Sequence, residues 1–285
     1  MPRKFAASAW IWHADPSVNG YEAIIKAFEI GYDGIEIPTF DGRLNTMELR
    51  NKFASTSSNF KPILIGGCLN NTDISSEDQS IRDNGVEYIK ACINICHEIG
   101  GSLVCGPLHS AVGKKTLLTE VERAKLYSKI AKIYKQEISK FAKDRSVRIA
   151  LEPLCRYDTS LLNTTAQGIS LIDQISEENI GLLLDTFHLN IEEQSMQDAI
   201  EQAGDRLFHF HACENDRGTP GKGHLDWRSI SAALDRIKYD RWLALESFTP
   251  FEGGFSSAMN VWRKLADSQD ELASEGLQFL KSIFS

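Results

Sequence analysis

Eight short β-branched or apolar runs, each followed by a longer stretch of helical patterning, recur along the chain, and this rhythm restricts its fold more than any other feature. The runs are KFAASAW (4–10), GIEIP (34–38), PILIGGCL (62–69), SLVCGPL (102–108), VRIALEPL (147–154), IGLLLDTF (180–187), LFHFHACE (207–214) and WLALESF (242–248). Between them lie patterns such as YEAIIKAFEIG, EYIKACINICHEIGG and ERAKLYSKIAKIYKQEISKFAKD, several closed by the glycine that often ends a helix. Such alternation reads as an α/β chain with a parallel sheet. Eight repeats close as a (β/α)8 TIM barrel, a parallel eight-stranded barrel with outer helices, although the count alone also fits a doubly wound open sheet. No Pro/Ser-rich linker or low-complexity segment breaks the pattern, so residues 1–285 read as one domain. The stretch from about Asn260 onward exceeds what closure needs; it either packs on a partner subunit or covers the barrel bottom.

Composition narrows the class. A hydrophobic fraction of 42% with 25% charged residues is that of a soluble globular chain, and no run of 18 apolar residues exists to span a bilayer. The opening MPRKFAASAWIWHADP lacks an apolar core with a cleavage site, so a cytoplasmic protein is expected. Six cysteines include no C-x-x-C pair, which signals neither a zinc cluster nor a disulfide framework; they read as reduced and mostly buried. A net charge of −8 argues against holding a polyphosphate backbone.

In a barrel the chemistry sits where strands end, so polar residues late in apolar runs carry the information. Strand five delivers Glu152, strand six Asp185, strand seven His209 and His211, and strand eight Glu246. Any one of them could be a paired acid or a histidine bonded within the wall. Four consecutive strands placing such residues at the same level point instead to a shared site. Three carboxylates converging on an imidazole carry an excess of negative charge that a divalent cation would neutralise. His209 and His211 share parity, but only His211 is level with the acids; His209 reads as a wall residue one layer below. Oxygen-rich ligation favours Mn²⁺, then Mg²⁺ or Co²⁺, with Zn²⁺ behind them.

The stretch HFHACENDRGTPGKGHLDW (209–227) invites a phosphate-loop reading, which fails. Gly218 and Gly223 have the spacing, but His224 and Leu225 follow where Lys and Ser/Thr are needed. The glycines read as a sharp turn after strand seven, with Asp226 capping a helix that begins near Trp227. Lys222 and His224 are left as rim residues.

EPLCRYDTSLLNT (152–164), LDTFHLNIEE (184–193), HFHACENDRGTPGKGHLDW (209–227) and LESF (245–248) together resemble the ketose 3-epimerases related to D-tagatose 3-epimerase and D-psicose (D-allulose) 3-epimerase, within the xylose-isomerase-like barrel superfamily. SIRDNGVEYIK and GYDGIEI extend the likeness over nearly the whole chain. The resemblance implies an isomerase with metal ligands Glu152, Asp185, His211 and Glu246, and substrate contacts from Asp158, His188 and Arg217. It further implies epimerisation of a free ketose at C3 through a metal-bound enediolate, with Glu152 and Glu246 as the acid/base pair. The family ordinarily carries Asn where this chain has Cys155 and Glu where it has Asp158, which draws that carboxylate back by one methylene. Taken without the family, His188 reads as a helix-start residue, Arg217 as a solvated loop cation and Asp158 as a helix cap.

The partners expected are a small-molecule sugar and further copies of the chain, as a homodimer or homotetramer, with no nucleic acid and no membrane. The rival readings are a related sugar isomerase or epimerase acting on an aldose/ketose pair, an inosose or a keto-glycoside; a nuclease of the endonuclease IV kind, for which the histidines are too few; and a non-catalytic sugar-binding barrel.

Overall fold

In the computed structural model, which describes residues 3–250 and 252–285, all eight runs are parallel strands of one closed barrel. They are β1 (Lys4–Ser8), β2 (Gly34–Thr39), β3 (Lys61–Gly66), β4 (Leu103–Gly106), β5 (Arg148–Leu151), β6 (Ile180–Asp185), β7 (Leu207–His211) and β8 (Trp242–Leu245). Each pairs with the next in sequence, and β8 pairs back onto β1 through Phe5 with Leu243 and Ala7 with Leu245. The open-sheet alternative is thereby excluded.

The period of two divides the strand residues between two cores. Ile35 and Ile37, Leu182 and Leu184, and Leu243 and Leu245 face the helices, whereas Ala6, Ile63, Ile65, Cys105, Ala150, Leu183 and Ala244 fill the barrel. A bulge breaks the register once: Leu182 pairs with Leu207 but Leu183 pairs with His209, leaving Phe208 as the extra residue. Beyond it His209 and His211 share a face. At the end of β4, Gly106 has φ of 118°, and a Cβ there would collide with the Gly66 carbonyl. Only glycine allows that approach, and the Gly106 carbonyl in turn accepts the Glu152 N–H at 3.1 Å.

Apart from β2, the strands are shorter than the apolar runs. After β1 the side chain of Ser8 accepts from the Trp10 N–H and starts a 3₁₀ turn, Ala9–Ile11, so the apolar WI continues as a buried turn. The last helix, Gln269–Phe284, buries Leu272, Leu277, Leu280 and Phe284 and packs against helices Glu22–Ile30 and Trp227–Arg236. It takes a place in the outer ring of helices, between those two. All six cysteines are buried free thiols. Among the described residues no helix is long and apolar enough to cross a membrane.

Candidate metal and sugar site

The four residues singled out at strand ends converge at the C-terminal mouth of the barrel. Asp185 and His211 are the last residues of β6 and β7, while Glu152 and Glu246 directly follow β5 and β8. None is more than 4% exposed. His211 Nδ1 lies 3.5 Å from Asp185 Oδ2, 3.5 Å from Glu246 Oε2 and 3.9 Å from Glu152 Oε1.

Local structure aims each group. Asp185 caps helix Thr186–Glu192, its Oδ1 accepting from the Phe187 N–H at 2.7 Å, which leaves Oδ2 for the centre. The Glu152 peptide is held from both sides, since its carbonyl lies 2.9 Å from Nε2 of buried His109. Burial lowers the His109 pKa to about 4, so the ring is neutral; with the proton on Nε2, that nitrogen donates to the carbonyl.

Charge is unevenly balanced. Arg217 Nη1 bridges Asp185 Oδ2 at 2.6 Å and Glu246 Oε2 at 2.8 Å, and its guanidinium lies 4.2 Å from the centroid of Phe187. Burial pushes the Asp185 carboxyl up, but Arg217, His211 and His188 together outweigh it and hold the group well below the usual range. Glu152 is pushed far up by burial, helped by Glu246 and Asp185, against the pull of His211. For His211 burial pulls down, yet the Glu36 and Glu246 carboxylates raise it well above the ordinary imidazole value. The centre therefore calls for positive charge at Nδ1.

The donor set fits a divalent cation. His211 Nδ1 is buried without a hydrogen-bond partner while three carboxylates face it, and Asp185, His211 and Glu246 have ligating atoms within 4.8 Å of one another, as do Glu152, Asp185 and His188. Three oxygens and one nitrogen suit Mn²⁺, Mg²⁺ or Co²⁺. Cys213, set aside among the inert thiols, also belongs to the first group, and its Sγ lies 3.0 Å from Arg217 Nη1.

His188 stands in the first turn of helix Thr186–Glu192 and is buried, its pKa lowered by burial to about 4. The Cys155 N–H donates to its Nδ1 at 3.0 Å, so the neutral ring carries its proton on Nε2, 3.8 Å from Glu152 Oε1. Asp158 lies on the far side of that ring, 4.0 Å from Nδ1, where its Oδ2 accepts from the Cys155 thiol at 3.2 Å. It caps no helix, because Thr164 caps the one that follows. Arg217 is buried, not solvated, and takes a left-handed φ of 65°, its carbonyl accepting from Ser247 Oγ at 2.6 Å.

Two further features escaped sequence reasoning. Glu214, three residues beyond His211, pins the following loop. Its buried carboxylate accepts from the Gly221 and Leu225 N–H groups and from Trp227 Nε1. Gly223 is needed there because a Cβ would collide with that carboxylate. Glu36 was likewise passed over: fully buried on β2, it places Oε1 2.6 Å from His209 Nε2 and 2.9 Å from His211 Nε2. An acid alternating with Ile35 and Ile37 was its signal. His209 is the wall residue expected, Asp226 does cap helix Trp227–Arg236, and Lys222 pairs with Glu275 on the rim. Trp10, stacked on Phe40 and next to Phe248, adds an aromatic wall beside Arg217.

Fold and site together define a barrel enzyme with a buried carboxylate–imidazole centre. Residues 24–283 match the model of the xylose isomerase-like TIM barrel family. An L-ribulose 3-epimerase from Methylomonas sp. (strain DH-1) is 33% identical over 281 residues, 98% of this chain and 96% of that one. The D-psicose 3-epimerase of Agrobacterium fabrum is 31% identical over 261 residues, 91% and 90% of the two chains. A crystal structure of D-allulose 3-epimerase from Methylomonas sp. in complex with D-allulose superposes with a TM-score of 0.91 at 30% identity, covering 99% and 98% of the two chains. The chain belongs to the xylose isomerase-like TIM barrel family, among its ketose 3-epimerases, and is thus a carbohydrate epimerase of the isomerase class.

Proposed function

We propose that the protein epimerises a free ketose at C3 through an enediolate, with Glu152 and Glu246 as the acid/base pair and one divalent cation, Mn²⁺ foremost, held by Glu152, Asp185, His211 and Glu246. The observation that carries this is the unpartnered His211 Nδ1 facing carboxylates from β5, β6 and β8. When bound, the cation supplies Lewis acidity that polarises the ketose carbonyl.

Strands β5 and β8 stand three steps apart in a ring of eight, so Glu152 and Glu246 reach the centre from nearly opposite sides. Inversion at C3 needs such a pair. One carboxylate takes the C3 proton, the C3–H electron pair forms the C2–C3 double bond of the enediolate as the C2=O π pair moves to O2, and the other carboxyl returns a proton to the opposite face of C3 as the carbonyl re-forms. The two glutamates then exchange roles in the reverse reaction. His188, neutral with its proton on Nε2, donates to a substrate oxygen, while Arg217 orients the O1–O2 end. Asp158 reaches substrate only past His188, and its retracted carboxylate is the chain's own contribution to selectivity.

Arg217→Ala is expected to raise KM about 10–100-fold, the cost of a lost charged hydrogen bond, with metal content little changed. Kinetics with elemental analysis checks this; normal KM with lost metal would move Arg217 to the cation instead. The same reading takes residues 1–285 as one domain, assembled as a homodimer or homotetramer. Exposed Leu117, Val121 and Tyr157, on segments tied by Thr116–Ser160 and Arg123–Ser160 hydrogen bonds, support assembly.

A further inference from the structure

We propose that Glu36 is a positioning residue that keeps a proton on His211 Nε2 and so points the Nδ1 lone pair at the cation site. The inference rests on the reading of Glu152, Asp185, His211 and Glu246 as cation ligands. Glu36 touches neither cation nor substrate; it acts through His211.

Glu36 lies on β2, across the barrel from β7, in an interior where the apolar Ile63, Ile65, Cys105, Leu183 and Ala244 surround it and the two histidines of β7. One of its oxygens, Oε1, is within hydrogen-bond distance of two imidazoles, His209 Nε2 at 2.6 Å and His211 Nε2 at 2.9 Å. A carboxylate oxygen can only accept, so both rings must present an N–H at Nε2. For His211 this leaves Nδ1 free to use its lone pair. That atom has no hydrogen-bond partner, and it faces Asp185 Oδ2 and Glu246 Oε2 at 3.5 Å.

The opposite tautomer would put an N–H on Nδ1, where it would donate to Asp185 or Glu246 and block coordination. It would also turn the Nε2 lone pair against the Glu36 carboxylate. Glu36 therefore selects the form that can bind a cation, and its negative charge makes the ligating nitrogen a stronger donor. His209 serves the same end. Its ring stands 5.2 Å from that of His211 at 81°, and its N–H fixes the shared oxygen from the second side, which restrains rotation of the Glu36 carboxylate.

The test is Glu36→Gln, which keeps volume but offers an NH₂ group that can donate to Nε2. Titration calorimetry of the metal-free protein with Mn²⁺ is expected to give an affinity about 10–100-fold weaker than wild type. The Co²⁺-loaded variant should show an altered visible absorption spectrum, while the metal-free melting temperature stays close to that of wild type. In the metal-free protein, the downfield proton NMR signals of the two Nε2–H groups should move upfield or vanish. Should Glu36→Gln fail to fold, Glu36→Asp, which withdraws the carboxylate by one methylene, is measured with the same expectations. A variant that binds Mn²⁺ within about twofold of wild type, its imidazole signals unmoved, would overturn the proposal. If the wild type itself binds none of Mn²⁺, Co²⁺, Mg²⁺ or Zn²⁺, the cation reading falls. The Nε2–H signals then decide the role of Glu36 alone: their loss in the variant supports it and their persistence overturns it.

Discussion

Glu152→Gln and Glu246→Gln are each expected to lower turnover by about 10²–10⁴-fold, the contribution of a positioned general acid or base. The loss should appear in both directions of the reaction, because in the proposed mechanism each carboxylate serves as base in one direction and as acid in the other. An amide oxygen can still approach a cation, but an amide cannot take or return a proton at this pH. The test is therefore turnover measured alongside metal content. A variant that holds its cation yet keeps most of the wild-type rate would remove that glutamate from the proton path. Placement makes the pair the natural candidates: both are buried, both directly follow their strands, and they flank His211 from β5 and β8.

Removal of the cation is expected to have an equally large effect. Chelation, or Asp185→Ala, should bring the rate to background, and Mn²⁺ should restore the chelated wild type, with Co²⁺ or Mg²⁺ as substitutes. The loaded protein should also melt at a higher temperature than the chelated one, since a ligand at a thousandfold excess over its Kd adds about 4 kcal/mol to stability. The metal-free chain should nevertheless fold, because the Arg217 guanidinium already neutralises part of the charge on Asp185 and Glu246. Full activity after exhaustive chelation would contradict the metal reading.

Much of this was legible in the residues themselves. The eight strands were visible because each is an apolar run in a repeated setting, and Asp185, His211 and the two glutamates because they interrupt such runs at one level. Strand ends were overextended for a physical reason: the residues after β1 remain apolar while the backbone turns away, so hydrophobicity continues where pairing does not. Glu36 was missed because it lies in the middle of β2, beneath the level at which late polar residues were sought. Its interior parity between Ile35 and Ile37 could have revealed it. Cys213 gave no comparable signal. Its nearness to Arg217 depends on a left-handed backbone at Arg217 itself, whereas the sequence suggested that neighbouring glycines would do the turning. Among them only Gly221 takes a positive φ; Gly223 is required by the approach of Glu214.

The proposed activity requires proton exchange at C3 of a free ketose. Incubating a panel of free ketoses with the Mn²⁺-loaded protein in D₂O and following the sugars by NMR tests it most directly. Deuterium is expected at C3, with a pair of C3 epimers reaching one mixture from either side. Deuterium at C1 with formation of an aldose, or no exchange into any free ketose, would contradict it.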